Sequence, residues 1–307
     1  MEIIFILVNI ILPVFILIGI GCWMHKLFSL DLYSLAKINV YFLIPGFVFI
    51  SLYKTEFSLD TFLKVLIFFI LLSLIQYFIV RLISCLFSYQ KGVRVVFTNS
   101  VLLFNAGNFG VPVNDLVFKQ DPFAMSVQVI IMTFQNVLAY SFGIFTLMAV
   151  DKSRKNAVIG MFKMPVLYAM LAGILLNSIN VKLPYFMVKS GEMISQAMIA
   201  IALFTLGAQV AQLSLKRPLL PVYISMIVRL AIGPFVGFIL IYLFKFEGIL
   251  AQVLFIASGL PSSVNSAIIA QEYQNEPEMA AQIVLTTTVL SVITVTCTIH
   301  LSKLLFT

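Results

Sequence analysis

Two short stretches hold the least membrane-like residues of an otherwise apolar chain. The first reads Asn105-Ala106-Gly107-Asn108-Phe109-Gly110-Val111-Pro112 and the second Gly259-Leu260-Pro261-Ser262-Ser263-Val264-Asn265-Ser266. Each begins roughly 11–15 residues into an apolar segment, which at about 1.5 Å per residue is close to a bilayer midplane. Proline removes a backbone donor and clashes with the preceding turn, while glycine tolerates unwinding. Backbone groups freed at that depth cannot face lipid, so such breaks must line a protein-buried or watery cavity. Two breaks crossing there would present the positive N-termini of two half-helices together with Asn and Ser side chains. Such ends favour an anion, a carboxylate above all. The plainer reading, packing glycines and kinks with interhelical hydrogen bonds, suits either stretch alone better than both at matched positions.

Other polar residues are sparse. Gln135 and Asn136 are adjacent amides in the middle of an apolar span, placed either to line a pocket or to bond a neighbouring helix. Arg229 lies about 11 residues into its segment, roughly 16 Å deep. An ionisable group at that depth is a functional candidate by default, here to neutralise an anion, with a structural hydrogen-bonding role as the alternative. Asp115 and Glu272, just past the two breaks, could help bind a coupling sodium ion or proton, or could be solvated helix ends. The two histidines, His25 and His300, sit at segment ends. No HExxH, GxSxG or P-loop pattern occurs, so neither a membrane hydrolase nor an ATP-driven pump is supported, and no cofactor or metal is expected.

The elements that must position these residues are membrane helices. Of 307 residues 62% are hydrophobic, 13% aromatic and only 10% charged, with 29 Phe. Soluble chains are nearer 45–50% apolar and about 25% charged, and the mean hydropathy here is +1.10. Charges and turn residues cut the chain into ten apolar segments: about 3–24, 33–53, 61–86, 93–118, 123–150, 163–180, 190–212, 218–244, 248–273 and 279–304. These runs are far too long for barrel strands. The first begins at Ile3 without a basic leader or a small-residue cleavage site, and is expected to be retained. Cys22, Cys85 and Cys297 form no CxxC pair and are expected to be free, buried thiols.

The net charge of +7 belongs to loops between apolar runs, a positive-inside pattern rather than a nucleic-acid surface. With the 151–162 loop inside, eleven Lys and Arg face the cytoplasm and seven the exterior, which puts both termini outside. The halves also repeat. Pro13 and Gly21 recur as Pro165 and Gly173 at an offset of 152, and Gln120-Asp121-Pro122 matches Asn275-Glu276-Pro277 at 155. Five helices per unit is an odd number, so the second copy enters the membrane inverted, an arrangement typical of secondary transporters. The expected fold is all-α and polytopic: a first repeat over 1–150, a short basic cytoplasmic loop over 151–162, and a second repeat over 163–307.

The two stretches, the second extended by Ala270-Gln271-Glu272-Tyr273, resemble the crossover motifs of the auxin efflux carrier family, whose bacterial members include malate and malonate permeases. Leu12-Pro13-Val14-Phe15 with Gly19 and Gly21, Leu43-Ile44-Pro45, Leu206-Gly207, and Arg229-Leu230 with Pro234 extend the likeness over essentially the whole chain. The resemblance implies ten helices in two inverted five-helix repeats, with broken helices 4 and 9 crossing, as in sodium/proton antiporters and bile-acid symporters. It further implies a scaffold and a mobile crossover domain, elevator-type alternating access and carriage of organic anions. Asn108 beside Pro112 would be the central ligand contact, with Asn105 and Gly107 in the same motif. Pro261, Ser262, Ser263 and Asn265 would face it, and Gln135 and Tyr140 match pocket-lining positions. The long cytoplasmic loop of the plant members is replaced here by about a dozen residues.

The expectation is therefore a facilitator for mono- or dicarboxylates in a cell membrane. The alternatives are a sodium- or proton-coupled symporter of the bile-acid type and a membrane sensor that binds without transport. Partners would be the anion, the bilayer and, across the outward apolar faces, a second copy in a homodimer.

Overall fold

The computed structural model describes residues 2–54, 59–143, 146, 165–212 and 220–306. In chain order the helices are α1 (Ile3–Phe28), α2 (Leu32–Lys54), α3 (Asp60–Leu86), α4 (Lys91–Leu102), α5 (Val111–Phe118), α6 (Pro122–Gly143), α7 (Pro165–Ser178), α8 (Tyr185–Ala211), α9 (Leu220–Phe244), α10 (Gly248–Ser258), α11 (Val264–Glu272) and α12 (Pro277–Leu305). Seven of them, α1, α2, α3, α6, α8, α9 and α12, are long and apolar enough to cross a membrane. The segments expected at 93–118 and 248–273 are each two helices separated by an extended step. The 151–162 loop lies outside the described residues. The molecule is an all-helical, multi-pass membrane protein, with side chains such as Phe5, Trp23, Phe78, Tyr242 and Ile293 exposed on its outer faces. Cys85 and Cys297 are exposed and Cys22 is half-buried, so the thiols are free as expected but not buried.

Local sequence explains where the helices start and bend. Asp31 accepts the Tyr33 N–H at 3.0 Å and Asp121 the Ala124 N–H at 2.8 Å; both cap a helix start, and Pro122 follows where a missing N–H does no harm. Inside α1, α2 and α9, Pro13, Pro45 and Pro234 each follow a widened, π-type turn: Leu7–Ile11, Asn39–Leu43 and Val228–Ile232. In each case the residue before the proline donates its N–H five residues back instead of four. The proline ring clashes with the carbonyl four residues earlier, and one extra residue in the turn relieves that clash. A fourth such turn, Ala106–Gly110, precedes Pro112 at the start of α5. Asn39 and Arg229 both sit in these widened turns.

The helices pack as two groups. In one, α1 lies along α8 and α2 along α7 and α8; in the other, α3 to α6 surround the breaks together with α9 to α12. Close approach in the first group depends on glycine. A Cβ on Gly21 would lie 2.0 Å from the Phe204 carbonyl oxygen, and one on Gly207 1.9 Å from that of Ile18. The α7–α2 contact is similar, with a Cβ on Gly173 falling 2.9 Å from the Phe49 oxygen. Polar ties run mostly within a group. Asn177 donates to the Tyr53 carbonyl at 2.7 Å and the Tyr53 hydroxyl to Val181 at 3.0 Å, while Lys54 pairs with Glu192. Between the groups Phe15 meets Phe109 edge-on at 6.1 Å, and the Ser126 hydroxyl reaches the Ser51 carbonyl at 3.4 Å.

Candidate functional site

After Leu102 the chain runs extended through Leu103 and Phe104 to a bend at Asn105, and after Ser258 a turn at Gly259 leads into a second extended step that ends at Ser263. The two extended steps meet as a single antiparallel bridge between Phe104 and Ser262. Asn105 donates its N–H to the Pro261 carbonyl at 2.9 Å, and Ser263 donates to the Leu103 carbonyl at 2.8 Å. Each break thereby satisfies backbone groups of the other that lipid could not.

Side chains complete that accounting. Gln135 on α6 accepts the Phe104 N–H at 3.1 Å and donates to the Leu102 carbonyl at 3.4 Å. Two turns earlier Gln128 donates to the Ala106 carbonyl at 2.7 Å. The Ser262 hydroxyl donates to the Ser100 carbonyl at 2.7 Å, and its N–H is held by Thr287 at 3.2 Å. These groups hold the crossing in shape.

Arg229 is 0% exposed. Its Nε donates to the Leu260 carbonyl at 2.9 Å and one terminal nitrogen to the Val101 carbonyl at 3.0 Å and Gln76 Oε1 at 3.3 Å. The other terminal nitrogen donates to the Ser258 carbonyl, and the guanidinium carbon lies 4.8 Å from the centre of the Phe104 ring. One cation thus caps the C-terminal ends of α4 and α10 together, where the helix dipoles are negative. The rigid fork of a guanidinium suits this; a lysine ammonium could not span it.

With the negative ends tied off, the positive ends remain. The turn Ala106–Gly110 leading into α5, and the start of α11 at Val264, where the Ser263 hydroxyl oxygen accepts the Asn265 N–H at 3.3 Å, border a cavity of about 230 Å³. The first N–H groups of any helix lack intrahelical partners. Of the residues singled out in the sequence, Asn105, Gly107, Asn108, Gln135, Ser263 and Asn265 line this cavity. Pro112, Pro261, Ser262 and Arg229 are buried around the crossing and are not among its lining residues. Tyr140 lies in the turn Ala139–Gly143 at the end of α6; its side chain, like that of Glu272, is outside the described residues.

Across the cavity stand residues not expected in the sequence. Asn39 on α2 and Thr205 and Gln209 on α8 face the crossing, and Asn39 donates to the Thr205 hydroxyl at 3.0 Å. The available signal was a lone amide six residues before Pro45, weak beside two Gly-Pro-Asn clusters. Asn136 also lines the cavity. Among the described residues the lining contains no Lys, Arg, His, Asp or Glu, and no group of three His, Cys, Asp or Glu could hold a metal ion. The arrangement has the groups to bind and orient a small polar solute, and among the described residues its hydroxyls, those of Thr205 and Ser263, have no His, Lys or carboxylate beside them in the lining.

Comparison with known proteins agrees in kind. The profile described as "Membrane transport protein" matches residues 7–299. A protein of Methanocaldococcus jannaschii, named an uncharacterized transporter, is 25% identical over 302 residues, which cover 94% of this chain and 96% of that one.

Proposed function

The chain belongs to the membrane transport protein family, that of the auxin efflux carriers, a family of transporters and not of enzymes, and from that premise we propose that it moves small organic anions, mono- or dicarboxylates such as malate or malonate, across a cell membrane. The observation that carries this reading is the polarity of the crossing. Arg229 occupies the C-terminal ends of α4 and α10, while the opposite, positive helix starts and the amides of Asn105, Asn108 and Asn265 border the cavity. Helix N-termini are ready-made anion sites.

Translocation would move the crossing group, α3–α6 and α9–α12, against the group α1, α2, α7 and α8 as an elevator. The greater number of polar ties inside each group, against an aromatic contact and one 3.4 Å Ser126–Ser51 hydrogen bond between them, supports that division. Inverted repeats of five helices over 1–150 and 163–307, joined by the basic 151–162 loop on the cytoplasmic side, account for the paired glycine contacts. Gly21 and Gly173 are 152 residues apart and their partners Phe49 and Phe204 155 apart, so one contact maps onto the other with its partners exchanged. A membrane potential acting on a monoanion supplies roughly 2.3 kcal/mol per 100 mV, about a fiftyfold gradient, without a coupled ion.

The test is flux of labelled malate and malonate into liposomes holding the purified protein, under an imposed potential, with and without sodium and pH gradients. Potential-driven flux that is lost in Asn108→Ala is the expected result. Absolute dependence on a sodium or pH gradient would replace facilitation by coupled symport. Binding without flux would make the protein a sensor.

A further inference from the structure

We propose that a cleft between α9 and α12, on the lipid-facing side of the crossing group, seats one acyl chain of a phospholipid, and that the seated chain buttresses the crossing from behind.

The cleft has a volume of about 450 Å³. Its floor holds Leu230 and Phe255, 5% and 4% exposed, and its rim is formed by the exposed Phe235, Ile293, Leu301 and Leu305. Two threonines line it, and both hydroxyls are spent within α12. Thr294 donates to the Leu290 carbonyl at 3.4 Å and Thr298 to the Thr294 carbonyl at 2.8 Å. Among the described residues no charged side chain lines the cleft. An occupant therefore finds apolar contact and no hydrogen-bonding side chain in need of a partner, which suits hydrocarbon and disfavours a polar solute.

Depth and shape select an acyl chain. Leu230 and Ala231 lie near the middle of α9 and Ile293 near the middle of α12, whereas Leu301 and Leu305 are at the end of α12. From Ile293 to Leu305 a helix rises about 18 Å, and from Leu230 to Phe238 about 12 Å. Half of a bilayer's hydrocarbon core is roughly 15 Å deep. The cleft thus runs from midplane to surface through a single leaflet, the course an acyl chain takes. At the surface end Phe306 closes it, 6.2 Å from the Phe238 ring and 5.5 Å from that of Phe255. At the other end the first turns of α9 pack on α12. A helix of a second copy, about 10 Å across, would run into both closures and could not lie along the floor. A flexible chain enters over the rim.

The floor gives the seat its consequence. Leu230 and Ala231 belong to the widened turn Val228–Ile232 that also carries Arg229. Phe255 lies about one turn before Ser258, whose carbonyl Arg229 caps. An empty cleft would deprive that wall of dispersion contacts. A filled one backs the turn whose guanidinium ties α4 to α10.

The experiment takes the full-length protein in digitonin, a detergent without an acyl chain, and adds phosphatidylcholine carrying a photoreactive diazirine in one chain. Cross-links mapped by mass spectrometry are expected to gather on residues 230–238 and 293–305, to saturate near one per protein, and to be displaced by unlabelled phosphatidylcholine. The melting temperature should rise over the same lipid range and then level off, as for any ligand of the folded state. Phe78, which is 66% exposed on α3, reports unspecific contact with lipid. Ala231→Phe and Cys297→Phe fill the cleft from its two walls at exposed positions, and each should lose both the saturable cross-links and the lipid-dependent rise. Cleft cross-links that climb in step with those at Phe78 without saturating, or that survive in both filled variants, would overturn the proposal. So would a wild-type melting temperature indifferent to the lipid.

Discussion

The backbone N–H of Ser263 donates to the carbonyl of Leu103 at 2.8 Å, joining the two interrupted helices from opposite halves of the chain. An unwound helix in a bilayer exposes donors and acceptors that lipid cannot satisfy. Here each interruption supplies partners for the other, and Gln135, Ser262 and Arg229 meet more of the demand. The polar interior of this protein is first a solution to that backbone problem, and the cavity proposed to take the solute is the part left open.

Arg229→Met should destabilise the protein strongly. It leaves the carbonyls of Val101, Ser258 and Leu260 buried without donors, at roughly 1–3 kcal/mol each. Arg229→Lys keeps the charge but cannot reach all three and should fall between. Melting in detergent micelles measures both, and an Arg229→Met protein that melts with the wild type would refute the capping role.

Neighbouring amides should behave oppositely. Gln135→Leu strips the Phe104 N–H of its acceptor and is expected to cost about 1–3 kcal/mol, with Gln135→Glu milder because the acceptor survives. Asn136→Leu, at the cavity wall, should change stability by less than about 0.5 kcal/mol while reducing flux. Parallel melting and transport assays separate the two patterns.

Gly21→Ala and Gly207→Ala should each push α1 and α8 apart, since the added Cβ would fall 2.0 and 1.9 Å from backbone oxygen. Overpacking of this kind costs about 1–3 kcal/mol or more. Gly19→Ala is the control: nothing lies within 4 Å of its Cβ, so higher helix propensity should leave it neutral or slightly stabilising. Equal melting of all three variants would contradict the close contact.

The start of α2 has a predictable acid limit. The Ser34 hydroxyl, donating to Asp31 at 2.6 Å, is the chief cause that holds the Asp31 carboxyl below its ordinary value, with the Tyr33 N–H assisting. A depressed pKa means that the cap contributes fully above the ordinary carboxylate range and is lost as pH falls through the lowered value. Asp31→Ala should therefore lower stability equally at pH 7 and pH 5, and the difference from wild type should shrink only in stronger acid. A melting series across that range reads the effect.

Much of this was legible in residue types alone. Gly, Pro and Asn at 105–112 and 259–266 mark the breaks because their backbone consequences are local. Asn105, Asn108, Ser263 and Asn265 on the cavity wall follow from the same clusters. Arg229 stood out by its depth, but the carbonyls it caps belong to two other helices, and no local pattern names them. Asn39, Thr205 and Gln209 are single polar residues in apolar runs and gain meaning only when α2 and α8 are brought opposite the crossing. The widened turns before Pro13, Pro45 and Pro234 had a visible cause, yet a proline in a helical pattern is equally compatible with a kink, a break or a boundary.

The allocation of hydrogen bonds around the crossing has an evolutionary consequence. Gln128, Gln135, Ser262 and Arg229 are committed to backbone, whereas the side chains of Asn108, Asn136 and Asn265 make no hydrogen bond among the described residues. Exchanging one of the latter leaves every helix cap in place, so on the proposed reading a carrier built on this frame is expected to change its solute by one substitution at a time with each intermediate still folded, whereas exchanging Gln128, Gln135, Ser262 or Arg229 strips backbone groups of their partners first.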